Sequence, residues 1–406
     1  MPEEHRCGWK VAFSLACVLA GSPGCEFFAS ETGASSLDAG GTATPTPSTT
    51  TATPPVQTDD GGSRSLWVDL YYPGWRSNSL PPQALDLSGI THVIHFAWIP
   101  WIAEGGTDVT IDDTTNGVDA AAAAALVQVV HAAGKKVLIS VGGSAKGSTY
   151  FAAAMADANR AAFIDALIAK TVERGYDGID IDWEPGWDQT QQGIPAFQIF
   201  SRDLRTAIGN VAPHLLLTTA GLGASSKVFG AIASVYDQIN IMTYDLVYGV
   251  PLTWHNSAIS GGSGAYYSID RAAAEYAGAG IAKSTLGIGL KCSGFSWANA
   301  TAPMQSPMGG PHSIPYTSIM ATSYTDEVYR WDDQAEVPYL SITTPAPTFI
   351  TYDDARSAKA KIDFIRTTRY GGLIIWDSSD QYFPSGDATG EKNPLLKAVK
   401  EAVDAP

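Results

Sequence analysis

Residues 176–186 read YDGIDIDWEPG and contain four acidic residues within eight positions. Three of these acids alternate with apolar residues, and such alternation is typical of a β-strand. On a strand, Asp180, Asp182 and Glu184 lie on one face at intervals of about 6.6 Å, close enough to interact. The opposite face is apolar and can pack under helices. Pro185 then ends the strand, so Glu184 lies at its C-terminal tip.

Three carboxylates on one buried face cannot all ionise, so they share protons and titrate together. One carboxyl can then stay protonated near neutral pH, which is what a general acid requires. A calcium loop is the alternative for acids at this spacing. Such a loop needs glycine at its sixth position and an acid at its twelfth, where this sequence has Pro185 and Gln191. The pattern favours acid–base chemistry, and we expect neither a bound metal ion nor a cofactor.

The composition is that of a large globular protein. The chain has 406 residues, of which 45% are hydrophobic and 10% aromatic, enough for a sizeable core. Its formal net charge of −16 argues against nucleic acid as a partner. Most of the acidic residues follow residue 65, so the acidity belongs to the folded part and suits a neutral or cationic ligand.

The first 65 residues differ from the rest. Residues 1–25 resemble an export signal, because basic residues precede an apolar run at 11–21 that is too short to span a membrane. Residues 26–65 lack hydrophobic periodicity and include a Thr/Pro-rich tract, which indicates a disordered linker. We therefore expect a secreted protein. Cys25 follows a glycine, as the lipidated cysteine of a bacterial lipoprotein does, so a surface-anchored form stays an open alternative.

From residue 66 onward, strand-like and helix-like segments alternate, which predicts a parallel sheet covered by helices. The eight strand candidates are 66–72, 92–98, 136–141, 178–184, 215–219, 238–244, 286–290 and 372–376. The main helix candidates are 118–133, 159–174, 196–208, 270–277, 354–367 and 395–403, the first three ended by Gly134, Gly175 and Gly209. Eight such units predict an α/β fold, a (β/α)8 TIM barrel over residues 66–406.

In such a barrel the active site lies at the C-terminal ends of the strands. The third strand ends with Ser140, Gly142 and Gly143, where missing side chains leave room beside the acidic strand.

The sixth and eighth strands contain further candidate residues. Met242 and Tyr244 share one face of the sixth strand, with Asp245 at the rim. Trp376 ends the eighth strand and offers an aromatic platform for a sugar ring, although a tryptophan there is more often part of the core. The other tryptophans that could line a groove are Trp75, Trp98, Trp101, Trp254, Trp297 and Trp331.

Together these motifs resemble glycoside hydrolase family 18, the chitinase family. The resemblance rests on the segments D-G-I-D-I-D-W-E at 177–184, S-x-G-G at 140–143 and M-x-Y-D at 242–245, and it extends from about residue 66 to the C-terminus. It implies a TIM barrel with a small α+β insertion at about 292–350, after the seventh strand.

The resemblance also implies residue roles. Glu184 would protonate the glycosidic oxygen while the substrate's own 2-acetamido oxygen attacks the anomeric carbon. Asp182 would orient the acetamido group, and Asp180 would hold or share the proton of Asp182. Tyr244 would donate a hydrogen bond toward the acetyl group, whereas Asp177 would be structural.

Two positions depart from the family pattern or leave it open. The end of the seventh strand, residues 291–295, reads KCSGF and lacks the tyrosine and arginine that the family usually has there, so the family's sugar contacts from that side do not carry over. Tyr71 or Tyr72 could match the family's tyrosine in the cleft floor, and alternation alone does not choose between them. We take Tyr71 as the candidate substrate-binding residue.

Three functions are compatible with this pattern. A chitinase acting on chitin or N-acetylglucosamine oligosaccharides by a retaining mechanism is favoured. An endo-β-N-acetylglucosaminidase acting on glycoprotein or peptidoglycan-like glycans would use the same acidic strand. A non-catalytic chitin-binding lectin is the alternative of another class, but such relatives usually lack the acid that Glu184 supplies here.

Overall fold

The protein is described by a computed structural model over residues 66–103, 107–144, 147, 150–184 and 187–405, the side chains of 187–192 excepted. The export signal expected at 1–25, with Cys25, and the linker expected at 26–65 lie outside these residues, as does the strand end expected at Pro185. Among the described residues, no helix has the length and apolarity needed to cross a membrane.

Strands and helices alternate along the described chain. The strands are β1 (Trp67–Pro73), β2 (His92–Ile102), β3 (Val109–Asp112), β4 (Lys136–Gly143), β5 (Gly178–Trp183), β6 (Leu216–Leu222), β7 (Gln238–Met242), β8 (Leu286–Lys291), β9 (Ser293–Ala298), β10 (Met308–Pro315), β11 (Tyr329–Asp332), β12 (Val337–Ile342), β13 (Thr348–Thr351) and β14 (Gly372–Trp376). The α-helices are α1 (Ala120–Ala132), α2 (Phe151–Met155), α3 (Arg160–Arg174), α4 (Trp187–Val211), α5 (Ser226–Phe229), α6 (Ile269–Gly278), α7 (Tyr316–Thr322), α8 (Ala355–Thr368) and α9 (Pro394–Asp404).

Eight parallel strands close into a barrel. Their order is β1-β2-β4-β5-β6-β7-β8-β14, and β14 pairs with β1 to complete the circle. All eight expected barrel strands are confirmed, and the structure is a (β/α)8 TIM barrel. The short strand β3 lies outside the circle and pairs antiparallel with the extended end of β2.

The alternation on β5 separates two environments. Ile179, Ile181 and Trp183 belong to the large apolar core between the barrel and its helices. Trp183 stacks on Phe197 of α4 with ring centroids 4.8 Å apart. The acidic side chains therefore lie on the opposite face, inside the barrel.

Two glycines of β8 make room inside the barrel. A Cβ at Gly287 would collide with the Asn240 side chain, which donates to Asp69 Oδ2 over 3.1 Å. A Cβ at Gly289 would lie 2.7 Å from Cδ1 of Tyr244. The two glycines thus permit larger side chains of the neighbouring strand to occupy the interior.

The helix ends follow local sequence rules at most positions. Helix α3 ends at Gly175, whose φ of 77° requires the left-handed region. The stop expected at Gly209 is wrong, because α4 continues to Val211. Gly209 is exposed and a single glycine costs a helix only about 1 kcal/mol, so it does not end a helix that packs along its length.

A small α+β insertion follows β8, as expected. Its five strands form an antiparallel sheet in the order β10-β9-β13-β12-β11, and α7 lies within the same segment. Just after this sheet, the fully buried Lys361 of α8 forms an ion pair with Asp353 and donates to Ser257 Oγ over 2.9 Å. This buried pair joins α8 to the loop that follows β7.

The end of β4 gives a test of the packing. Gly142 has a φ of +119°, and a Cβ there would overlap the carbonyl oxygen of Asp182. We expect Gly142→Ala to lower the free energy of unfolding by about 2–4 kcal/mol, measured by urea denaturation. The matched control is Gly209→Ala, which has no atom within 4 Å of the added Cβ and should raise stability by up to about 1 kcal/mol. Equal effects of the two substitutions would contradict this account.

Candidate active site

Asp180 lies inside the barrel and accepts hydrogen bonds from three hydroxyl groups. Tyr71 Oη and Ser140 Oγ donate to its Oδ2, each over 3.1 Å, and Thr218 Oγ1 donates to its Oδ1 over 2.7 Å. Ser140 and Thr218 are paired with Asp180 in the strand register. Burial raises the pKa of Asp180 to about 6, and the three hydrogen bonds oppose that rise.

The two tyrosines of β1 point to opposite sides of the barrel wall. The hydroxyl of Tyr71 lies inside the barrel on Asp180, whereas the hydroxyl of Tyr72 donates to the carbonyl of Leu80 outside it. Thr218 was not singled out from the sequence. Thr218 lies directly opposite Asp180 in the register of β5 and β6, and Ala220 lies opposite Asp182. The sequence alone does not give this register, so it offered no signal for Thr218.

Asp182 and Glu184 form a hydrogen-bonded pair of carboxyl groups. Burial raises the pKa of Asp182 well above its usual range, and the charges of Glu184 and Asp180 raise it further. Burial raises the pKa of Glu184 to about 7, and the Asp245 carboxylate adds to this, whereas the hydrogen bond from Asp182 and the Lys291 ammonium group act against it. The two carboxyl groups therefore titrate together, and both bind protons more tightly than they would in water.

The glycines that follow Ser140 allow close approach to the pair. Gly142 packs on the main chain of Asp182, and a Cβ at Gly143 would lie 2.7 Å from Cζ of Phe96. Gly142 and Gly143 both have positive φ, at 119° and 87°. Larger residues at these positions would displace the acidic strand or the aromatic ring beside it.

An aromatic group lies beside the carboxyl groups. Phe96 and Trp376 are in edge contact with ring centroids 4.9 Å apart, and Tyr71 is 5.6 Å from Trp376. Trp75 extends the group to the surface, 5.8 Å from Phe96 and 46% exposed. Met242 is partly buried against the same cluster. Phe96 was not anticipated from the sequence.

Trp98 was expected to bind substrate, and this is wrong. The side chain is fully buried in the outer core, and its indole nitrogen donates to the carbonyl of Val118 over 3.2 Å. Ile94 and Phe96 precede Trp98 at intervals of two residues, so regular alternation would put all three on one face, but Ile94 and Phe96 lie inside the barrel. The register of β2 against β4 is irregular between His95 and Trp98, and such an irregularity reverses which face the following residue occupies.

Three other tryptophans that could line a groove make contacts within the protein. Trp297 is buried in the insertion core, and the indole nitrogen of Trp254 donates to the carbonyl of Tyr267 over 2.8 Å. Trp331 lies under the guanidinium group of Arg356 at 3.7 Å.

Tyr244 and Asp245 lie near the carboxyl pair, and the Tyr244 ring belongs to the same cluster as Phe96. The Tyr244 ring is buried, and burial together with the Asp245 charge raises the pKa of its hydroxyl well above the ordinary value. Asp245 has a φ of 61°, and its amide donates to Oδ1 of Asn256 over 2.9 Å. Its carboxylate accepts from Nζ of Lys291 over 2.5 Å. The structure thus places a cation at the strand end where the family's arginine is missing.

Asp177 lies at the opposite end of β5. Its Oδ2 accepts from the amide of Val137 over 2.8 Å and lies 2.8 Å from Nε2 of His131. This joins β5 to β4 and α1, away from the carboxyl pair. Among the described residues, no group of three or more His, Cys, Asp or Glu side chains is arranged so that it could hold a metal ion.

A closed parallel barrel with coupled carboxyl groups at the C-terminal end of one strand is an arrangement of barrel glycoside hydrolases. The profile of the family Glycosyl hydrolases family 18 matches residues 68–381. The chain therefore belongs to this family.

Curated relatives are chitinases and chitinase-like proteins. The chain is 26% identical over 297 residues to a probable endochitinase of Caenorhabditis elegans, covering 65% of this chain and 47% of the nematode protein. It is 27% identical over 303 residues to chitotriosidase-1 of Mus musculus, covering 67% of this chain and 64% of the mouse protein. The chain thus spans less than two thirds of the length of these two relatives.

Solved structures share the fold. The Group IV chitinase of Ostrinia furnacalis superposes with a TM-score of 0.71 at 21% identity, covering 84% of this chain and 100% of that one. Human YKL-39, described as a pseudo-chitinase with retained chitooligosaccharide binding, gives a TM-score of 0.69 at 21% identity over 84% of this chain and 100% of its own. The fold alone is therefore shared by a chitinase and a pseudo-chitinase.

The raised pKa values predict how the site affects stability. A folded site that binds protons more tightly than the unfolded chain gives its full stability below about pH 4 and loses it as pH rises toward 7. The pKa of Glu184 rises from 4.5 to about 7 on folding. We expect Glu184→Gln to raise the free energy of unfolding by about 1–3 kcal/mol at pH 8 and little at pH 4, measured by urea denaturation.

The control is Glu173→Gln on α3, since the Glu173 side chain is 71% exposed. It should leave the pH dependence unchanged. A gain for Glu184→Gln at pH 4 as large as that at pH 8 would contradict the assignment.

Proposed function

We propose that the chain is a chitinase that hydrolyses β-1,4 links between N-acetylglucosamine units by a retaining, substrate-assisted mechanism. The main support is the buried, hydrogen-bonded pair of Asp182 and Glu184. A carboxyl group with a pKa of about 7 keeps a useful protonated fraction at neutral pH, so Glu184 can serve as the general acid.

The spacing of the pair disfavours the common two-carboxylate schemes. A retaining enzyme with a protein nucleophile needs carboxyl groups about 5–5.5 Å apart, and an inverting enzyme needs about 6.5–9.5 Å. Carboxyl groups that hydrogen-bond to each other are about 2.5–2.7 Å apart. Asp182 and Glu184 hydrogen-bond to each other and so do not face each other across a sugar ring, which favours a nucleophile supplied by the substrate.

Asp182 has an acceptor available for that substrate group. Its Oδ1 is buried and has no hydrogen-bond partner among the described residues. A buried carboxyl oxygen in this state is costly unless a ligand satisfies it. An acetamido N–H of the substrate would satisfy it and turn the carbonyl oxygen toward the anomeric carbon.

The reaction then proceeds in two steps. Glu184 gives its proton to the glycosidic oxygen as the C1–O bond breaks, and the acetamido oxygen bonds to C1 to form an oxazolinium ion. Both carboxyl groups of the pair are protonated before this step, and afterwards the pair keeps one proton and carries one negative charge, which stabilises the positive charge of the oxazolinium ion. Water then attacks C1 and gives its proton to Glu184 while the bond between C1 and the acetamido oxygen breaks and restores the acetamido group, so the anomeric configuration is retained.

The aromatic group fits a sugar-binding cleft. Trp376, Phe96 and Trp75 present ring faces and edges from beside the carboxyl groups to the surface. Aromatic rings pack well on the apolar faces of pyranose units. Met242, Tyr244 and Asp245, which follow one another at the end of β7, would contact the same sugar.

Two other functions use the same residues. An endo-β-N-acetylglucosaminidase acting on glycoprotein or peptidoglycan-like glycans needs the same Glu184, and product analysis separates it from a chitinase. A non-catalytic lectin would bind chitooligosaccharides without cleavage. The intact Asp182–Glu184 pair argues against the lectin.

Hydrolysis of a series of N-acetylglucosamine oligomers, followed by mass spectrometry, tests the proposal. We expect Glu184→Gln to lower the rate of cleavage by about 100- to 10,000-fold, because the general acid is lost, while oligomer binding persists. Fully deacetylated glucosamine oligomers should not be cut, since they lack the internal nucleophile.

Glu173→Gln is again the control and should cleave at the wild-type rate. Equal cleavage of acetylated and deacetylated oligomers would exclude the substrate-assisted mechanism. Retention on chitin without any cleavage would favour the lectin instead.

We also propose the organisation around this domain from the sequence alone. Residues 1–25 would direct export, residues 26–65 would be a flexible tether, and residues 66–406 would be the catalytic domain with its insertion at about 292–350. The protein would act outside the cell, where insoluble chitin is found.

Expression of the full chain in a Gram-negative bacterial host tests export and anchoring. We expect an exported product that lacks the first residues, detected by intact-mass measurement. If Cys25 is lipidated, Cys25→Ser should release the protein from membranes, whereas Cys7→Ser, the control within the expected signal, should not. A full-length cytoplasmic product would contradict export.

A further inference from the structure

Lys291 is a nearly buried cation at the mouth of the barrel. It ends β8, its side chain is 9% exposed, and its Nζ lies 2.5 Å from Oδ1 of Asp245. The ammonium group also lies 5.9 Å from the ring centroid of Tyr244 and 5.0 Å from that of Phe295. A buried ammonium needs such compensation, and the carboxylate and the ring faces provide it.

Asp245 acts in turn on Glu184. Its carboxylate raises the pKa of Glu184, and the Lys291 ammonium group lowers it. Further groups that act on Glu184 or respond to its charge are Asp182 of its own strand, which hydrogen-bonds to it, the backbone of Ser144 after β4 and the hydroxyl of Tyr244 after β7. Asp245 and Lys291 therefore form a charge pair whose two members act on Glu184 in opposite directions.

Lys291 has a second acidic neighbour. Asp380, after β14, has a pKa raised to about 6 by burial and by Asp377, and the charges of Arg76 and Lys291 oppose that rise. Lys291 is thus the cation between the rim after β7 and the rim after β14.

We propose that Lys291 is a positioning residue, whose ammonium group binds the Asp245 carboxylate, offsets the effect of that charge on Glu184 and so sets the pH range over which Glu184 keeps its proton. Nothing in the two-step reaction requires Lys291 to touch the sugar. The consequence for catalysis rests on the proposed function, but the effect on the proton of Glu184 does not.

The two members of the pair should have opposite effects. Without the Lys291 charge, the Asp245 carboxylate acts on Glu184 unopposed, so Glu184 keeps its proton to higher pH. Without the Asp245 charge, the lysine acts alone, so Glu184 loses its proton at lower pH. A merely structural role of either residue would not give shifts of opposite sign.

The experiment follows Glu184 directly. The carboxyl carbon of Glu184 is titrated by NMR in protein labelled with ¹³C-glutamate, and Glu184→Gln identifies the signal. The variants are Lys291→Met, Lys291→Arg and Asp245→Asn. We expect the midpoint to move up by about one pH unit in Lys291→Met, to move down in Asp245→Asn, and to return to the wild-type value in Lys291→Arg.

Lys170→Met is the matched control. Lys170 also pairs with an aspartate, Asp113, over 2.8 Å and also lies over an aromatic ring, that of Trp98 at 5.2 Å, but on the outer side of the barrel. Its loss should leave the Glu184 midpoint unchanged. If Lys291→Met does not fold, Asp245→Asn still gives the direction in which the Glu184 midpoint moves. Lys291→Arg still shows whether another cation at this position keeps the wild-type midpoint.

The alkaline limb of kcat/KM on an N-acetylglucosamine oligomer is measured in parallel and should move with the midpoint. If the wild-type protein cleaves no oligomer, the proposed function fails while the NMR titration still tests Lys291. If cleavage is normal but the midpoint moves no more in Lys291→Met than in Lys170→Met, or moves the same way in Lys291→Met and Asp245→Asn, the role of Lys291 is overturned.

Discussion

The hydrogen bond between Asp182 and Glu184 is the interaction on which the site depends. Two carboxyl groups can bond in this way only if they share a proton, and burial makes a second charge there costly. The barrel creates that burial, because one face of β5 points inward while the other packs under α4. The chemistry we propose for Glu184 is a consequence of this shared proton.

The other strands of the barrel affect the three acidic side chains of β5 in different ways. Three hydroxyl groups satisfy Asp180, so it can keep a charge at lower pH than its burial alone would allow. Gly142 brings the next strand against the main chain of Asp182, and Gly289 admits the ring of Tyr244. The site is thus formed as much by the absence of side chains as by their presence.

Strands with a regular pattern of apolar residues could be predicted from the sequence. The face that a side chain occupies could not be predicted where the strand pairing is irregular. All eight barrel strands follow from alternation and apolar runs, and the insertion after β8 follows from the family resemblance. Trp98 was assigned to the wrong face because β2 changes register just before it. Alternation shows that Tyr71 and Tyr72 point to opposite faces of β1, but it does not show which face is the interior of the barrel. The choice between the two tyrosines therefore stayed open. Thr218 and Phe96 had no signal of their own, since their importance arises from the strands beside them.

The sequence by itself determined that three carboxyl groups share one face of a strand and that this strand belongs to a parallel barrel, because both properties depend on the spacing of neighbouring residues. Only the tertiary structure decided which carboxyl groups bond to each other and which hydroxyl groups satisfy Asp180. It also brought Lys291 to Asp245. These contacts join residues far apart in the chain, and the register of the closed barrel, which no local pattern encodes, sets their distances.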